Sequence, residues 1–291
     1  MGFSDLFSAN SKILSFEFFP PRKSEDIFLT KTLISDLVQT SPDFVTVTYG
    51  AGGGTRGLTK ELVSYIHNQL NLNAVAHLTC VGHSRDEIKT ILEELAHEGV
   101  NNILALRGDP PKGVKDFQPH PQGFKNAREL TKFIKSQGDF SVAVAGYPEM
   151  HKDASSLEKD IEYLKEKVDA GAELILTQLF FENKYFYKFR DLAVKAGIKI
   201  PIVPGLMPIS NVSQVKKFTS LCGTSIPNEL TEQLNKMEDN PDEVIQYGIE
   251  YTIKQAEDLL KQDVRGIHLY TLNKSVQVMP IVSTLRSLEL L

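Results

Sequence analysis

The sequence predicts an α/β fold: a (β/α)8 barrel of the TIM type, formed as a single domain with a helical insertion before the last strand. Three observations predict it. Short apolar runs alternate with amphipathic segments of helical length eight times along the chain, the pattern of a parallel sheet covered by helices. The length, 291 residues, suits one such barrel, which takes about 250 residues before insertions. No low-complexity run or flexible linker divides the chain, so residues 1–291 are expected to form one domain. An open doubly wound sheet is the alternative. Against it, no GxGxxG follows the first strand, and GAGGG at 50–54 lacks the spacing and position of that fingerprint.

The first strand is read in ILSFEFFPPR, residues 13–22. Apolar residues fill both of its faces, as in a strand covered on two sides. Pro20 and Pro21 end it, because neither can donate a ladder hydrogen bond. Glu17 sits in the middle, where an ionised carboxylate is costly unless it is paired, protonated or used. A structural Glu held by Arg22 or another cation is the bland alternative.

A helix is expected over Glu25 to Gln39, with Ile27, Leu33, Ile34, Leu37 and Val38 at helical spacing. DFVTVTYGAGGG is strand two, and Thr59 to Leu70 the helix after it. NAVAHLTC is strand three; Arg85 to His97 follows as a helix with Gly99 as its cap. NILALRGDPP is strand four, then a proline-rich functional loop over Asp109 to Gly123 and a helix over Ala127 to Lys135. SVAVAGYPE is strand five. Ser155 and Glu158 form a capping-box pattern for a helix to Asp169, closed by Gly171. ELILTQLFF is strand six, with a helix over Tyr185 to Lys195. IPIVPGLMPIS is strand seven, with a helix over Val212 to Leu221. The helical insertion covers Asn228 to Met237 and Pro241 to Lys261, before strand eight, GIHLYTLN, and a last helix over Ser275 to Leu288.

Period-two alternation puts Glu17, Thr48, His77, Arg107 with Asp109, Tyr147, Gln178 and Tyr270 on one face, at the C-terminal ends of seven strands. Val45 and Val47, Leu104 and Leu106, Val142 and Val144, and Ile267 and Leu269 fall on the opposite faces, suited to packing under helices. Catalytic groups of such barrels come from the C-terminal ends of several strands, so an active site is expected at that rim. A net charge of -5 and a pI near 5.9 argue against a general nucleic-acid or anionic-membrane surface. Cys80 and Cys222 are too few for a disulfide framework, a four-Cys zinc site or an iron–sulfur cluster, so no metal is expected and both read as buried free thiols. The N-terminus lacks a long apolar stretch, so neither signal peptide nor membrane span is expected, and a cytoplasmic enzyme fits.

FEFFPPR (16–22), VTYGAGG (47–53), HLTC (77–80), ALRGDPP (105–111), YPEMH (147–151), KVDAGAE (167–173), LTQLFFE (176–182), PGLMPIS (204–210) and YTLN (270–273) run in order from first strand to last. In these stretches the chain resembles the methylenetetrahydrofolate reductase family, flavoproteins that reduce 5,10-methylenetetrahydrofolate to 5-methyltetrahydrofolate. The resemblance implies non-covalent FAD at the barrel's C-terminal rim, with NADH or NADPH as electron donor and ping-pong kinetics. Carried over motif by motif, it makes Thr48, Tyr49, Ala51, His77, Arg107, Gly108, Asp109, Tyr147 and His151 flavin contacts. It assigns Asp160 and Lys167 to the adenosine diphosphate half; they are seven residues apart, on one helix edge beside Leu157, Ile161, Leu164 and Val168.

The same resemblance makes Glu17 the general acid that protonates the N10 leaving amine and exposes a methylene iminium at N5. Apolar company disfavours its carboxylate form, which suits that role; Phe16, Phe18 and Phe19 are its neighbours in sequence. Asp109 is implied as the group near the flavin pyrimidine that also meets the pterin. Thr48, Gln178, Gln214, Phe218 and Tyr270 are implied as substrate contacts, and Lys274 as positive charge for a glutamate tail. Two departures stand out: Leu179 replaces an aromatic that often follows the substrate Gln, and Lys274 replaces an Arg and loses its bidentate fork. The chain stops at Leu291, so feedback through a large C-terminal regulatory domain is not expected. Relatives are often oligomeric, which makes a homo-oligomer an expectation by analogy. A pterin-dependent barrel methyltransferase without flavin, or a reductase subunit fed by a protein partner, are the competing classes.

Overall fold

The computed structural model describes residues 1–9, 12–49, 56–109 and 118–291. Its strands form one parallel sheet that rolls into a barrel: β1 (Ile13–Phe18), β2 (Phe44–Val47), β3 (Asn73–Thr79), β4 (Asn102–Leu106), β5 (Ser141–Gly146), β6 (Leu174–Thr177), β7 (Ile202–Val203), β8 (Gly205–Leu206) and β9 (Gly266–Tyr270). Their order is β7-β6-β5-β4-β3-β2-β1-β9-β8, so the two ends of the sheet are consecutive in the chain. The expected seventh strand is therefore two short pieces on either side of Pro204. β7 pairs with β6, and β8 pairs with β9. Proline has no N–H to give the ladder, but its carbonyl accepts from the His268 amide at 2.9 Å, and the ring closes through it.

The helices α2 (Ile27–Val38), α3 (Arg56–Asn68), α4 (Arg85–His97), α5 (Ala127–Ser136), α6 (Leu157–Asp169), α7 (Asn183–Lys195), α8 (Val212–Cys222) and α11 (Ser275–Ser287) follow successive strands around the barrel. The insertion is α9 (Asn228–Lys236) and α10 (Pro241–Lys261). The cap of α6 falls one residue later than the expected Ser155: the Ser156 hydroxyl accepts from the Lys159 amide at 3.2 Å. None of the helices is long and apolar enough to cross a membrane among the described residues.

One element was not expected. α1 (Phe3–Ala9) turns Phe3, Leu6 and Phe7 into the N-terminal end of the barrel, where they pack on Ile13, Phe44, Val75, Leu104 and Leu174. The spacing 3, 6, 7 is the helical signal that marks it.

Register also corrects one expected face. His77 pairs with Leu104 and Thr79 with Leu106, and laterally paired residues share a face. Leu104 and Leu106 therefore point into the barrel, while Ile103 and Ala105 pack under the helices. Strand four is apolar on both faces, so alternation alone does not orient it. Arg107 still reaches the lumen side, because the strand ends at Leu106 and Gly108 takes φ +85. A Cβ at Gly108 would also lie 2.9 Å from Thr79 Cβ, so glycine is required there twice over.

Candidate functional site

At the C-terminal end of the barrel opens a cavity of about 380 Å³. Its floor is built by β1, β3 and β9. Glu17, on the lumen face of β1, is buried, with Oε2 at 3.4 Å from His77 Nε2 and 3.8 Å from His268 Nε2. Phe16 and Phe18 do not surround it; strand alternation sends them outward into the layer beneath the helices. The company of Glu17 is thus two imidazoles and the Tyr270 ring, and only Phe19 of the expected aromatics lines the cavity. Burial pushes the His77 imidazole down to about 4; the Glu17 carboxylate opposes that shift and His268 adds to it.

Tyr270 donates its hydroxyl to the Thr177 carbonyl at 2.6 Å. Burial raises the phenol well above its ordinary value, and the Glu17 carboxylate adds to the effect. Gly205 makes this reach possible: a Cβ there would meet the Tyr270 hydroxyl at 2.7 Å and the Thr177 carbonyl at 2.3 Å.

Above the floor, Leu104, Leu106, Ala145 and Leu176 form an apolar wall. The rim is charged. The Arg107 guanidinium donates to Asp153 at 2.9 Å, and Lys152 Nζ stands 3.6 Å from Asp109 Oδ1. These pairs are exposed, and exposed pairs are held weakly. Phe218, Leu221 and Cys222 arrive on α8, whose end lies beside Leu179 at the end of β6.

The cavity therefore gathers Glu17, Thr48, His77, Arg107, Gly108, Asp109, Tyr147, His151, Gln178, Phe218 and Tyr270, from the ends of most of the strands. Five other residues stand apart from it. Tyr49 turns to His83, with its hydroxyl 3.2 Å from Nε2. Asp160 accepts the His151 amide at 2.9 Å, and Lys167 donates to the Ala145 carbonyl at 2.6 Å, so both serve the wall behind Tyr147. Burial lowers the Lys167 ammonium to about 8, against the pull of Asp160. Gln214 and Lys274 meet at the Ser210 hydroxyl, which donates to the Gln214 side chain and accepts from Lys274 at 3.2 Å. Ala51 lies outside the described residues.

Sequence reading missed His268, Lys152 and Leu221, and took Cys222 for a buried thiol. Cys222 is only half-buried and lines the cavity, where burial pushes its thiol up to about 11. Phe218 carried the signal for Leu221 and Cys222, three and four residues on along one helix face. His268 is two residues before Tyr270, hence on the same face of β9.

Fold and site together define a (β/α)8-barrel protein with a buried carboxylate at the bottom of a polar pocket on its C-terminal rim, where barrels of this type place their chemistry. A family model described as methylenetetrahydrofolate reductase matches residues 3–286. The chain belongs to the methylenetetrahydrofolate reductase family. It is 37% identical over 272 residues to the 5,10-methylenetetrahydrofolate reductase of Escherichia coli, covering 94% of this chain and 90% of that one. It is 40% identical over 282 residues to methylenetetrahydrofolate reductase (NADH) 1 of Arabidopsis thaliana, covering 93% of this chain. There the match spans 48% of the relative, so the chain spans about half the length of the plant proteins it matches. Among solved structures, an uncharacterized protein from Clostridium thermocellum that binds two copies of 5-methyl-5,6,7,8-tetrahydrofolic acid superposes with a TM-score of 0.68 at 14% identity, over 98% of both chains. That likeness is one of fold.

Proposed function

We propose that this chain, acting as one catalytic barrel, reduces 5,10-methylenetetrahydrofolate to 5-methyltetrahydrofolate, with non-covalent FAD as cofactor and NADH or NADPH as donor. The observation that carries the reading is Glu17: an acid buried to 8% exposure, at the closed end of a pocket with an apolar wall and a polar, charged rim. Family membership supplies the substrate class, and the NADH in the plant relatives' names favours NADH.

The residues present fit a flavin. A flat tricyclic ring needs an apolar wall and polar groups at its edge. Leu104, Leu106 and Ala145 give the first; Thr48, His77, Asp109, Tyr147 and His151 give the second. Arg107 can exchange its exposed partner Asp153 for a diphosphate, which its planar fork suits. Asp160 and Lys167 each have hydrogen-bonding capacity for the adenosine half beyond the contact each makes here. Bound FAD would supply hydride transfer from the nicotinamide cofactor to the folate.

The chain's own side chains do the rest. Glu17 donates its proton to N10 of the folate, which opens the one-carbon bridge to an iminium at N5. Asp109 accepts a hydrogen bond from the pterin, with Thr48, Gln178, Phe218 and Tyr270 holding the ring. Lys274, presented with Gln214 through Ser210, offers charge to the glutamate tail. Folate and the nicotinamide cofactor would share the open face of the bound flavin, so alternate, ping-pong occupancy is expected.

The test is the absorbance spectrum of the purified protein, then anaerobic addition of NADH and of NADPH separately, then of the folate. Flavin bands that bleach with a nicotinamide cofactor and return with methylenetetrahydrofolate are expected. The flavin released by heat should chromatograph as FAD. FMN would remove Asp160 and Lys167 from their role, and a colourless protein that passes the folate's carbon to an acceptor would replace the reading with a methyltransferase.

A further inference from the structure

Three buried polar atoms without a hydrogen-bond partner lie around Glu17: Thr46 Oγ1, His77 Nε2 and His268 Nε2. Thr46 is the ladder partner of Glu17 on β2. An unpartnered buried donor costs about 1–3 kcal/mol, so a cluster of them beside one carboxylate needs a reason.

His268 is the most constrained of the three. It is fully buried, its ring stacks on Phe44 with centroids 6.4 Å apart, and its far nitrogen, Nδ1, lies 2.8 Å from the Ser15 hydroxyl. The competing acceptor for that hydroxyl, the Ile267 carbonyl, is 3.5 Å away. We assign the Ser15 hydroxyl as donor to Nδ1, the shorter of its two contacts. A neutral imidazole that accepts at Nδ1 carries its own proton on Nε2. That proton faces Glu17 Oε2 across 3.8 Å, a gap of the kind that closes when a site fills.

We propose that His268, fixed by Ser15, is the positioning residue for Glu17: its Nε2–H takes up the negative charge left on Glu17 Oε2 when Glu17 gives its proton to the folate N10. The proton lost by Glu17 is the proton gained by N10, and His268 keeps its own throughout. The other titratable groups facing Glu17 are His77 from β3, Tyr270 from β9 and Cys222 from α8. Tyr270 already donates its hydroxyl to the Thr177 carbonyl, and His77 lines the cavity itself. His268 lines it too, but is held from behind, by Ser15 at Nδ1 and by Phe44 against its ring. This inference rests on the folate-reductase reading, because it needs Glu17 to be the acid.

Two measurements test it. In protein labelled with ¹⁵N-histidine, His268 should show a proton on Nε2 and a bare Nδ1, and Ser15→Ala should move the Nδ1 signal. A proton on Nδ1 overturns the proposal whatever the activity. In stopped flow, His268→Asn should slow the folate half-reaction at saturating folate by about 10–100-fold, the usual effect of a residue one contact behind the reacting groups. Flavin reduction by NADH should stay within about twofold, and His268→Gln, which restores a donor near the Nε2 position, should recover part of the loss. In a Glu17→Gln background, His268→Asn should add nothing, because the two act as a unit. Equal loss in both half-reactions, or additive loss in the double variant, makes His268 merely structural. If His268→Asn does not fold, Ser15→Ala should show a smaller loss confined to the same half-reaction; a silent Ser15→Ala overturns the proposal. Wild-type protein that carries no flavin and reduces no folate overturns the parent reading and this one with it. An active wild type with a silent His268→Asn overturns this one alone.

Discussion

The two halves of the barrel lumen are built on the same strands and do opposite things. In the lower half, Ile13, Phe44, Val75, Leu104 and Leu174 close on Phe3 and Phe7 from α1. Two or four residues further along, the same faces carry Ser15, Glu17, Thr46, His77, His268 and Tyr270. Below, every group is satisfied by contact alone. Above, Thr46 Oγ1, His77 Nε2 and His268 Nε2 are brought near a carboxylate without a hydrogen bond. The lower half gives the barrel its rigidity, and the upper half uses that rigidity to keep unpaired groups from collapsing onto each other. Substitutions below should alter stability and leave the chemistry alone; substitutions above should do the reverse.

The largest expected effect lies above. Glu17→Gln keeps shape and hydrogen bonding but gives no acidic proton, so the folate half-reaction should fall at least about a hundredfold, within the usual range for general acid catalysis. Flavin reduction should hold within about tenfold. Stopped-flow measurement of each half separates them; a joint fall would make Glu17 a structural carboxylate.

Below, Phe3→Ala should reduce unfolding free energy by about 3–5 kcal/mol, the cost of emptying a buried aromatic site. Urea titration reads this. The ratio of the two half-reaction rates should stay as in wild type, and a shifted ratio would break the division between the halves.

His77 ties the halves together through pH. Its folded value, about 4, lies below the ordinary 6.5. The unfolded chain therefore binds this proton first as pH falls, and stability present at pH 7 is lost between 6.5 and 4. The loss amounts to about 3 kcal/mol at most. Urea titrations at pH 7 and pH 5 should show a drop that His77→Asn reduces; an equal drop in the variant would remove His77 as its source.

The smallest effect is at the rim. Asp109→Asn should raise the flavin midpoint potential by at most about 30 mV, equivalent to about 1.4 kcal/mol for two electrons. The bound is low because Asp109 is mostly exposed and Lys152 already stands beside it. Potentiometric titration showing no shift would take Asp109 out of the flavin's surroundings. A shift that grows in Lys152→Met would show that the pair, rather than the carboxylate alone, sets the field.

The difference between the halves also explains what the sequence could reveal. The eight strand–helix units were legible because each helix has a one-sided apolar stripe and the strands end in turn residues. Glu17, Thr48, His77, Tyr147, Gln178 and Tyr270 were legible because polar residues at strand ends stand out against apolar runs. Leu104 and Leu106 were not, since NILAL is apolar on both faces and only pairing with His77 and Thr79 orients it. His268 was hidden between Ile267 and Leu269 and eclipsed by Tyr270, which ends the same strand. Asp160 and Lys167 had the right spacing for one helix edge, but spacing does not say whether an edge faces a ligand or the strand behind it. The break at Pro204 was hidden for a different reason: a proline can end a strand or interrupt one, and only the partners on each side tell which.

Pro204 has a mechanical consequence. A hoop made of eight continuous staves would have no preferred place to open, but this one has a clasp. Each half of the seventh strand grips a neighbour through only two residues, and the Gly205 amide is given to the Thr177 side chain at 2.9 Å. The Tyr270 hydroxyl, bound to the Thr177 carbonyl, straps across that join from inside the cavity. Amide hydrogen exchange should accordingly be fastest, among the barrel strands, along the β6–β7 and β8–β9 seams, where the fewest ladder bonds must break for a local opening. A molecule that fills the cavity and presses on Tyr270 would tighten the clasp. Occupancy of the pocket would then be legible as exchange protection in a strand that does not itself line its floor.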